Sequence, residues 1–460
     1  MLKTISPIDD TVYVKREYAN TNEIEKTLSN ATEVVNEWKN TDLQIRKKLI
    51  TEFVEAFLYN NKEIEEELCR QIGRPLSQCS GEMRGFEERA KYMIENADRA
   101  LEIVESKKDS EFDNYIRKEA LGVIFVIAPW NYPYNTSVNS IVPSLLSGNA
   151  VILKHSSQTP LCAEQLFKAS EKTGLPKNIF QFLHLDHTST SKIIGDKRID
   201  HVLFTGSVSG GREVKRAIGD RFIGVGLELG GKDPAYVRAD CNIEHAIENL
   251  VDGSYFNSGQ SCCGIERIYV DKKIYTDFVD GFKQLTEKYN LGNPLDSATN
   301  LGPVVRKSAA AIIRDQVNKA INNGAKNIID KNLFKIDENT NCYVSPSALI
   351  NVDHTMEFMK EETFGPTVGI MEVSNENQAK ELMNDSPYGL TACVWTSDKE
   401  FAKSFGKDIQ TGTFFMNRCD YLDPGLAWTG VKDTGMGITL SVLGFDHLTR
   451  AKSYHLRTVR

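Results

Sequence analysis

Short continuous apolar runs, each closed by a turn signal and separated from the next by a helical stretch, predict an α/β fold built on parallel sheets. Leu121-Gly122-Val123-Ile124-Phe125-Val126-Ile127, closed by Pro129, reads as a strand buried on both faces. Ala150-Val151-Ile152-Leu153 and His201-Val202-Leu203-Phe204 repeat the pattern, with helical stretches around Ser137 to Leu146 and Leu161 to Thr173 between them. Alternation of this kind needs crossover connections, and so a parallel sheet of Rossmann type.

Ahead of this region, from about Asn22 to Val104, the periodicity is helical. Ile24, Leu28, Val34, Val35 and Trp38 recur at three- and four-residue spacing among many charges. Glu-rich runs such as Lys62-Glu63-Ile64-Glu65-Glu66-Glu67-Leu68 read as solvated helix faces. After Glu228 a second α/β pattern begins. Ala235-Tyr236-Val237, Arg267-Ile268-Tyr269-Val270 and Ala392-Cys393-Val394-Trp395 read as strands, with a helix near Ile274 to Leu285. Ligands of open parallel sheets sit at the carboxyl ends of the strands, where Trp130-Asn131, Lys154 and Thr205-Gly206-Ser207 fall. No GxGxxG follows the first strand. The small loop Gly206-Ser207-Val208-Ser209-Gly210-Gly211 would let N–H groups at a helix start approach a pyrophosphate, although alone such a loop is only a turn.

Composition bounds the function. A chain of 460 residues exceeds one hydrophobic core, so two or three domains are expected. The net charge of −8, with no basic stripe, argues against nucleic acid as a partner. No apolar stretch is long enough to cross a bilayer, and Met1 to Asp10 lacks a signal-peptide core, so no membrane association is expected. The nine cysteines are odd in number and show no metal spacing, which suits reduced thiols in the cytoplasm and no metal.

Asn257-Ser258-Gly259-Gln260-Ser261-Cys262-Cys263 places a thiol on a Gly-rich turn, and Glu228-Leu229-Gly230-Gly231-Lys232 supplies a carboxylate. A thiolate is the strongest common side-chain nucleophile near neutral pH, and a nearby carboxylate can activate a water. An isolated Cys pair is more often two small buried apolar residues, so the rest of the chain decides. Pro129-Trp130-Asn131-Tyr132-Pro133, the Glu228 segment, the Cys262 segment and Glu362-Thr363-Phe364-Gly365-Pro366 occur in that order, with Cys262 34 residues after Glu228. Together they resemble the signature set of the aldehyde dehydrogenase superfamily, and the pattern looks closest to its succinate-semialdehyde-like branch. The resemblance runs from about Asn114 onward, with a weaker helix-rich match before it.

The resemblance implies a Rossmann-type cofactor domain (1–110 and 126–228) and an α/β catalytic domain (229–425). It also implies a small β oligomerisation extension (111–125 and 440–460), in which Glu111 to Glu119 pairs with Leu448 to Val459. The implied reaction is oxidation of an aldehyde to a carboxylic acid with NAD or NADP. Cys262 attacks, Asn131 and the Cys262 backbone N–H hold the oxyanion, and Glu228 activates the water that hydrolyses the thioester. Chemistry does not choose between Cys262 and Cys263; the family pattern, a nucleophile two residues after the Gln of Gly-Gln-x-Cys, does. Trp130, Lys154, Ser157, Gly206, Ser207, Glu362 and Phe364 are the implied cofactor-binding residues. Many NAD-selective members carry a Glu where Ser157 stands, so both cofactors are expected.

The substrate mouth is expected to be lined by Tyr132, Tyr134, Ser261, Cys263 and residues near Arg418 to Trp428. Arg418 is a candidate for binding a distal carboxylate such as that of succinate semialdehyde. Where many members have a Gly-Arg-Glu segment, the corresponding stretch here reads Gly435-Met436-Gly437-Ile438-Thr439-Leu440 without the acid, and Thr439 is expected to pack or cap. The implied partners are a small aldehyde and further copies of the chain in a homodimer or homotetramer. A CoA-acylating enzyme is a competing reading that Glu228 disfavours. A non-catalytic protein retaining the fold is another, disfavoured by the presence of Cys262, Asn131 and Glu228 together. A thiol hydrolase lacks a His placed by motif, since His155 follows the cofactor lysine.

Overall fold

The run around Phe125 forms the strand Val123–Ala128, buried at all six positions. It pairs in parallel with Ala150–His155 on one side and His201–Thr205 on the other. Phe180–Phe182 and Gly224–Glu228 extend this sheet in parallel, and Gly435–Met436 closes the Glu228 edge antiparallel. Burial on both faces removes the need for polar alternation, which is why these strands appear as unbroken apolar runs. The computed structural model describes residues 1–108, 111–337 and 341–458. The ends of the expected domains at 110 and at Val459 and Arg460 therefore lie outside the described residues.

The second sheet has seven strands, in the order Lys326–Asn327, Ser347–Ile350, Thr367–Val373, Ile265–Asp271, Asp233–Val237, Thr391–Trp395 and Thr413–Met416. All neighbours are parallel except the first pair. A third sheet is antiparallel, with Thr449–Arg457 on Phe112–Ala120 and the latter on Val104–Lys108. Tyr115 and Tyr454 face each other across it with stacked rings 4.6 Å apart, a cross-strand pair that pins the register.

Two expected boundaries move. A cut between 125 and 126 falls inside the strand Val123–Ala128, and Val104–Lys108 joins the antiparallel sheet instead of the cofactor domain. The turn between the sheets is Gly122, with φ of +140° and no room for a side chain, since a Cβ would lie 2.0 Å from Asp200 Oδ2. That carboxylate accepts from Val123 N at 2.8 Å and starts the parallel strand. The apolar character of Leu121 and Val123 on either side of Gly122 hid the break.

The helical region resolves into Thr21–Trp38, Leu43–Leu58, Asn61–Ile72 and Leu76–Ala100. Asn20 and Glu23 form a capping box at the first, and Gly73 ends the third in the left-handed conformation. The long helix Leu76–Ala100 buries Met83, Phe86, Ala90 and Met93 at helical spacing. Phe57 joins it to the helix Pro133–Leu146, with rings 4.4 Å from Phe86 and 5.0 Å from Tyr134. The same helix also buries Glu82 and Arg89, whose charges point to the site described next.

Candidate active site

The helix Ile243–Tyr255 delivers the thiol segment. Asn257, Ser258 and Gly259 follow it with φ of 51°, 57° and 70°, three consecutive left-handed residues. A Cβ on Gly259 would lie 2.1 Å from the Gly365 carbonyl oxygen, so only glycine lets this loop lie against the Glu362 loop. Cys262 is half-buried and Cys263 is buried. Ser261 Oγ and Cys263 Sγ donate to Asp420 Oδ1 at 3.0 and 2.9 Å. A hydrogen bond with Cys262, together with burial, pushes the Cys263 thiol well above its usual range, so it stays neutral.

Asn131 sits at the carboxyl end of Val123–Ala128, and its Nδ2 donates to Gln260 O at 3.3 Å. Its carbonyl accepts from Arg74 Nη2 and from Asn257 Nδ2. Arg74 also donates to Asn257 Oδ1 at 3.1 Å and pairs with Glu82 at 2.6 Å, all of it buried. Glu82 Oε1 in turn accepts from the N–H groups of Tyr134 and Asn135 at 2.9 and 2.8 Å, opening the helix Pro133–Leu146. This buried pair ties the Asn131 loop to the thiol loop. No local sequence pattern marks it, since Arg74 reaches residues 57 and 183 positions away.

Glu228 ends its strand with both oxygens engaged. Thr205 Oγ1 donates to Oε2 at 3.1 Å and Thr439 Oγ1 to Oε1 at 2.5 Å. Burial raises the carboxyl's pKa, and the two hydroxyls and Arg89 partly offset it. The expectation that Thr439 packs or caps is therefore corrected. The antiparallel pairing of Gly435 with Glu228 carries the chain back to this carboxylate.

Lys154 lies at the end of its strand with no hydrogen-bond or ion-pair partner among the described residues, and burial alone holds it down to about 8. Ser157, three residues on, is exposed, and its carbonyl accepts from Thr4. Ser207 caps the helix Val208–Ile218 by accepting from Gly210 N at 3.1 Å. Gly206 and Gly210 fold onto the Phe204 ring, where a Cβ on either would come within 2.6 Å. Across the cleft, Trp130 meets Phe364 edge-on at 5.6 Å. Phe364 has φ of 54° and is held there by its N–H donating to Glu266 Oε1 at 3.0 Å. Glu266 is paired with the buried Lys232. Glu362 accepts from Gly231 N at 2.9 Å, and burial with the nearby Glu266 carboxylate pushes it up to about 8. An uncompensated ammonium, an open helix start and an apolar clamp at the strand ends form a cradle that fits a dinucleotide.

A cavity of about 350 Å³ opens over Cys262 and Glu228 and is lined also by Tyr132, Arg89, Asp420 and Trp428. No histidine lines it. Two expected mouth residues are elsewhere. Tyr134 is fully buried against Phe57, because Pro133 starts a helix that turns the next residue inward. Arg418 lies 3.4 Å over the Tyr421 ring and is not part of the lining. Among the described residues no cluster of His, Cys, Asp and Glu could hold a metal ion.

Residues 1–454 match the aldehyde dehydrogenase family, and the chain belongs to it. It is 29% identical over 427 residues to the succinate semialdehyde dehydrogenase (NAD(P)+) Sad of Escherichia coli, covering 93% of this chain and 92% of that one. It is 30% identical over 393 residues to the succinate-semialdehyde dehydrogenase (NADP(+)) of Mycobacterium avium, covering 85% and 83%. The solved structure of a succinic semialdehyde dehydrogenase from Streptococcus pyogenes with NADP+ superimposes with a TM-score of 0.95 at 27% identity, over the whole of both chains.

Proposed function

We propose that the protein oxidises an aldehyde to a carboxylic acid with NAD+ or NADP+, through a thioester on Cys262 hydrolysed by water. The observation that carries this is the single cavity shared by the half-buried Cys262 thiol and the Glu228 carboxylate. Cys262 adds to the aldehyde carbon. The oxyanion so formed takes a hydrogen bond from the Cys262 N–H and from the Asn131 amide, which spends one of its two N–H donors on Gln260. A nicotinamide cofactor, when bound, would supply the hydride acceptor, and collapse of the oxyanion leaves the acyl group as a thioester on Cys262. Glu228, made more basic by burial and aimed by two threonines, then takes a proton from the attacking water, and Cys262 leaves as thiolate. A carboxylate placed to activate water favours hydrolysis over transfer to coenzyme A.

Trp130, Phe364, Gly206, Ser207 and Glu362 would hold the cofactor, and the unpaired Lys154 ammonium would donate to it. The exposed Ser157 hydroxyl neither repels a 2′-phosphate nor binds a diol strongly, which supports use of both cofactors. The names of the two relatives make succinate semialdehyde the first substrate to try. Thr449–Arg457 is an open edge strand of nine residues, suited to pairing copies of the chain in a homodimer or homotetramer. Nine free thiols suit the cytoplasm, and among the described residues no helix is long and apolar enough to cross a membrane.

The test is NADH and NADPH formation across an aldehyde panel with wild type and Cys262→Ala. Turnover that disappears in the variant is expected. A wild type inert with every aldehyde would overturn the reading.

A further inference from the structure

Of the carboxylates lining the cavity, Glu82, Glu228 and Asp420 are buried or part-buried and supplied with donors, whereas two of its buried donors lack acceptors. Asp420 takes bonds from Ser261 and Cys263, and Glu228 from Thr205 and Thr439. Arg89 is only 8% exposed and makes one hydrogen bond, from Nη1 to the Asn135 carbonyl at 2.7 Å. Among the described residues it has no ion pair, and its Nε and Nη2 have no acceptor. Asn139, 2% exposed and one helical turn beyond Asn135, has neither end of its amide bonded. Both side chains line the cavity over Cys262. Native proteins pair such buried groups, and a guanidinium offers a planar fork that fits a carboxylate.

The arrangement is built. Arg89 projects from the long helix Leu76–Ala100, one side of which is fixed by the Arg74–Glu82 pair. Asn135 fits beside it because Gly85 has no side chain: a Cβ there would lie 2.7 Å from Asn135 Oδ1. Burial presses the Arg89 guanidinium down from its usual range, and Glu82 and Glu228 only partly offset this. The other charged groups lining the cavity, Arg84, Glu88 and Asp252, are exposed.

We propose that Arg89 and Asn139 form the subsite for a carboxylate at the far end of the substrate, so that the preferred aldehydes are short semialdehydes carrying a terminal carboxylate. The inference rests on Cys262 as the nucleophile, because the tail site is defined by its place in the same cavity. An aldehyde with an ammonium tail would need an open carboxylate; Glu82, Glu228 and Asp420 are already bonded, and Asp252, which has no partner among the described residues, is exposed to water. The carboxylate takes two hydrogen bonds from Arg89 and one from the Asn139 amide while the aldehyde carbon meets Cys262.

The experiment compares kcat/KM for succinate semialdehyde, butanal, 4-aminobutanal and glyceraldehyde. In wild type the carboxylate substrate is expected to exceed butanal by about ten- to a hundredfold, as for other charge-assisted pairs. Arg89→Gln should bring that ratio near one, mainly through KM, and Arg89→Lys should keep part of it. A ratio left intact by Arg89→Gln, or a wild-type preference for 4-aminobutanal or glyceraldehyde, overturns the subsite. Should Arg89→Gln not fold, wild type alone decides. Succinate should inhibit butanal oxidation competitively and butanamide far less, and equal inhibition by the two overturns the proposal. Turnover of butanal without a carboxylate preference sinks this subsite alone, whereas no turnover of any aldehyde sinks the Cys262 reading beneath it.

Discussion

Thr439→Val removes one hydroxyl from the Glu228 carboxylate while keeping the shape of the side chain. The bond removed is the 2.5 Å contact to Oε1, and the 3.1 Å bond from Thr205 to Oε2 stays. A hydrogen bond to a charged group contributes about 1.5–3 kcal/mol, and this one stabilises only the ionised form. Its loss therefore drives the Glu228 pKa further in the direction burial already pushes it, upward. Below the new midpoint fewer molecules carry the ionised base, and thioester hydrolysis slows by about ten- to a hundredfold at fixed pH. Thioester formation does not use this base. Stopped-flow absorbance should then show a full burst of reduced cofactor followed by a slow steady state, and the rising limb of the kcat–pH profile should move to higher pH. A limb that stays in place, or a burst lost together with the steady state, would refute the assignment of Thr439 to the base.

Other consequences are equally direct. Ser157→Glu places a negative charge where a 2′-phosphate would lie and should lower the NADP+ to NAD+ ratio of kcat/KM by about tenfold or more. Lys154 titrates near pH 8 because burial disfavours its charge. A 2′-phosphate favours the charged form, so calorimetric NADP+ affinity should weaken as pH rises through that value, by up to about tenfold per pH unit. Glu82→Gln leaves the buried Arg74 without its carboxylate and should lower stability by about 3–5 kcal/mol in denaturant titrations. Gly259→Ala brings a Cβ to 2.1 Å from Gly365 O at a positive φ, and should lower the unfolding midpoint and the activity together.

The sequence exposed most of what depends on local pattern. Parallel strands buried on both faces must be apolar throughout, so Val123–Ala128, Ala150–His155 and His201–Thr205 were visible as runs. The thiol, amide and carboxylate of the candidate site were visible because their motifs are short and contiguous. What stayed hidden depends on contacts between distant residues. Thr439 reaches Glu228 across 211 positions, and Asn131 and Asn257, linked by Arg74, lie 126 apart. A charged residue on an amphipathic helix reads as solvated whether or not the fold later covers it, so Glu82 and Arg89 carried no mark of burial. Gly122 lay inside an apolar run and concealed the passage from one sheet to the next. Tyr134 and Arg418 were read by nearness in sequence to the mouth, and a helix start and a stacked ring turned them elsewhere.

In the proposed division of labour Cys262 carries the acyl group and Glu228 releases it. The most direct test is rapid mixing of Glu228→Gln with aldehyde and NADP+, followed by mass spectrometry of the intact chain. About one reduced cofactor per active site, near-zero steady turnover and an acyl adduct that maps to Cys262 are expected. Steady turnover close to wild type, or an adduct on Cys263, would contradict it.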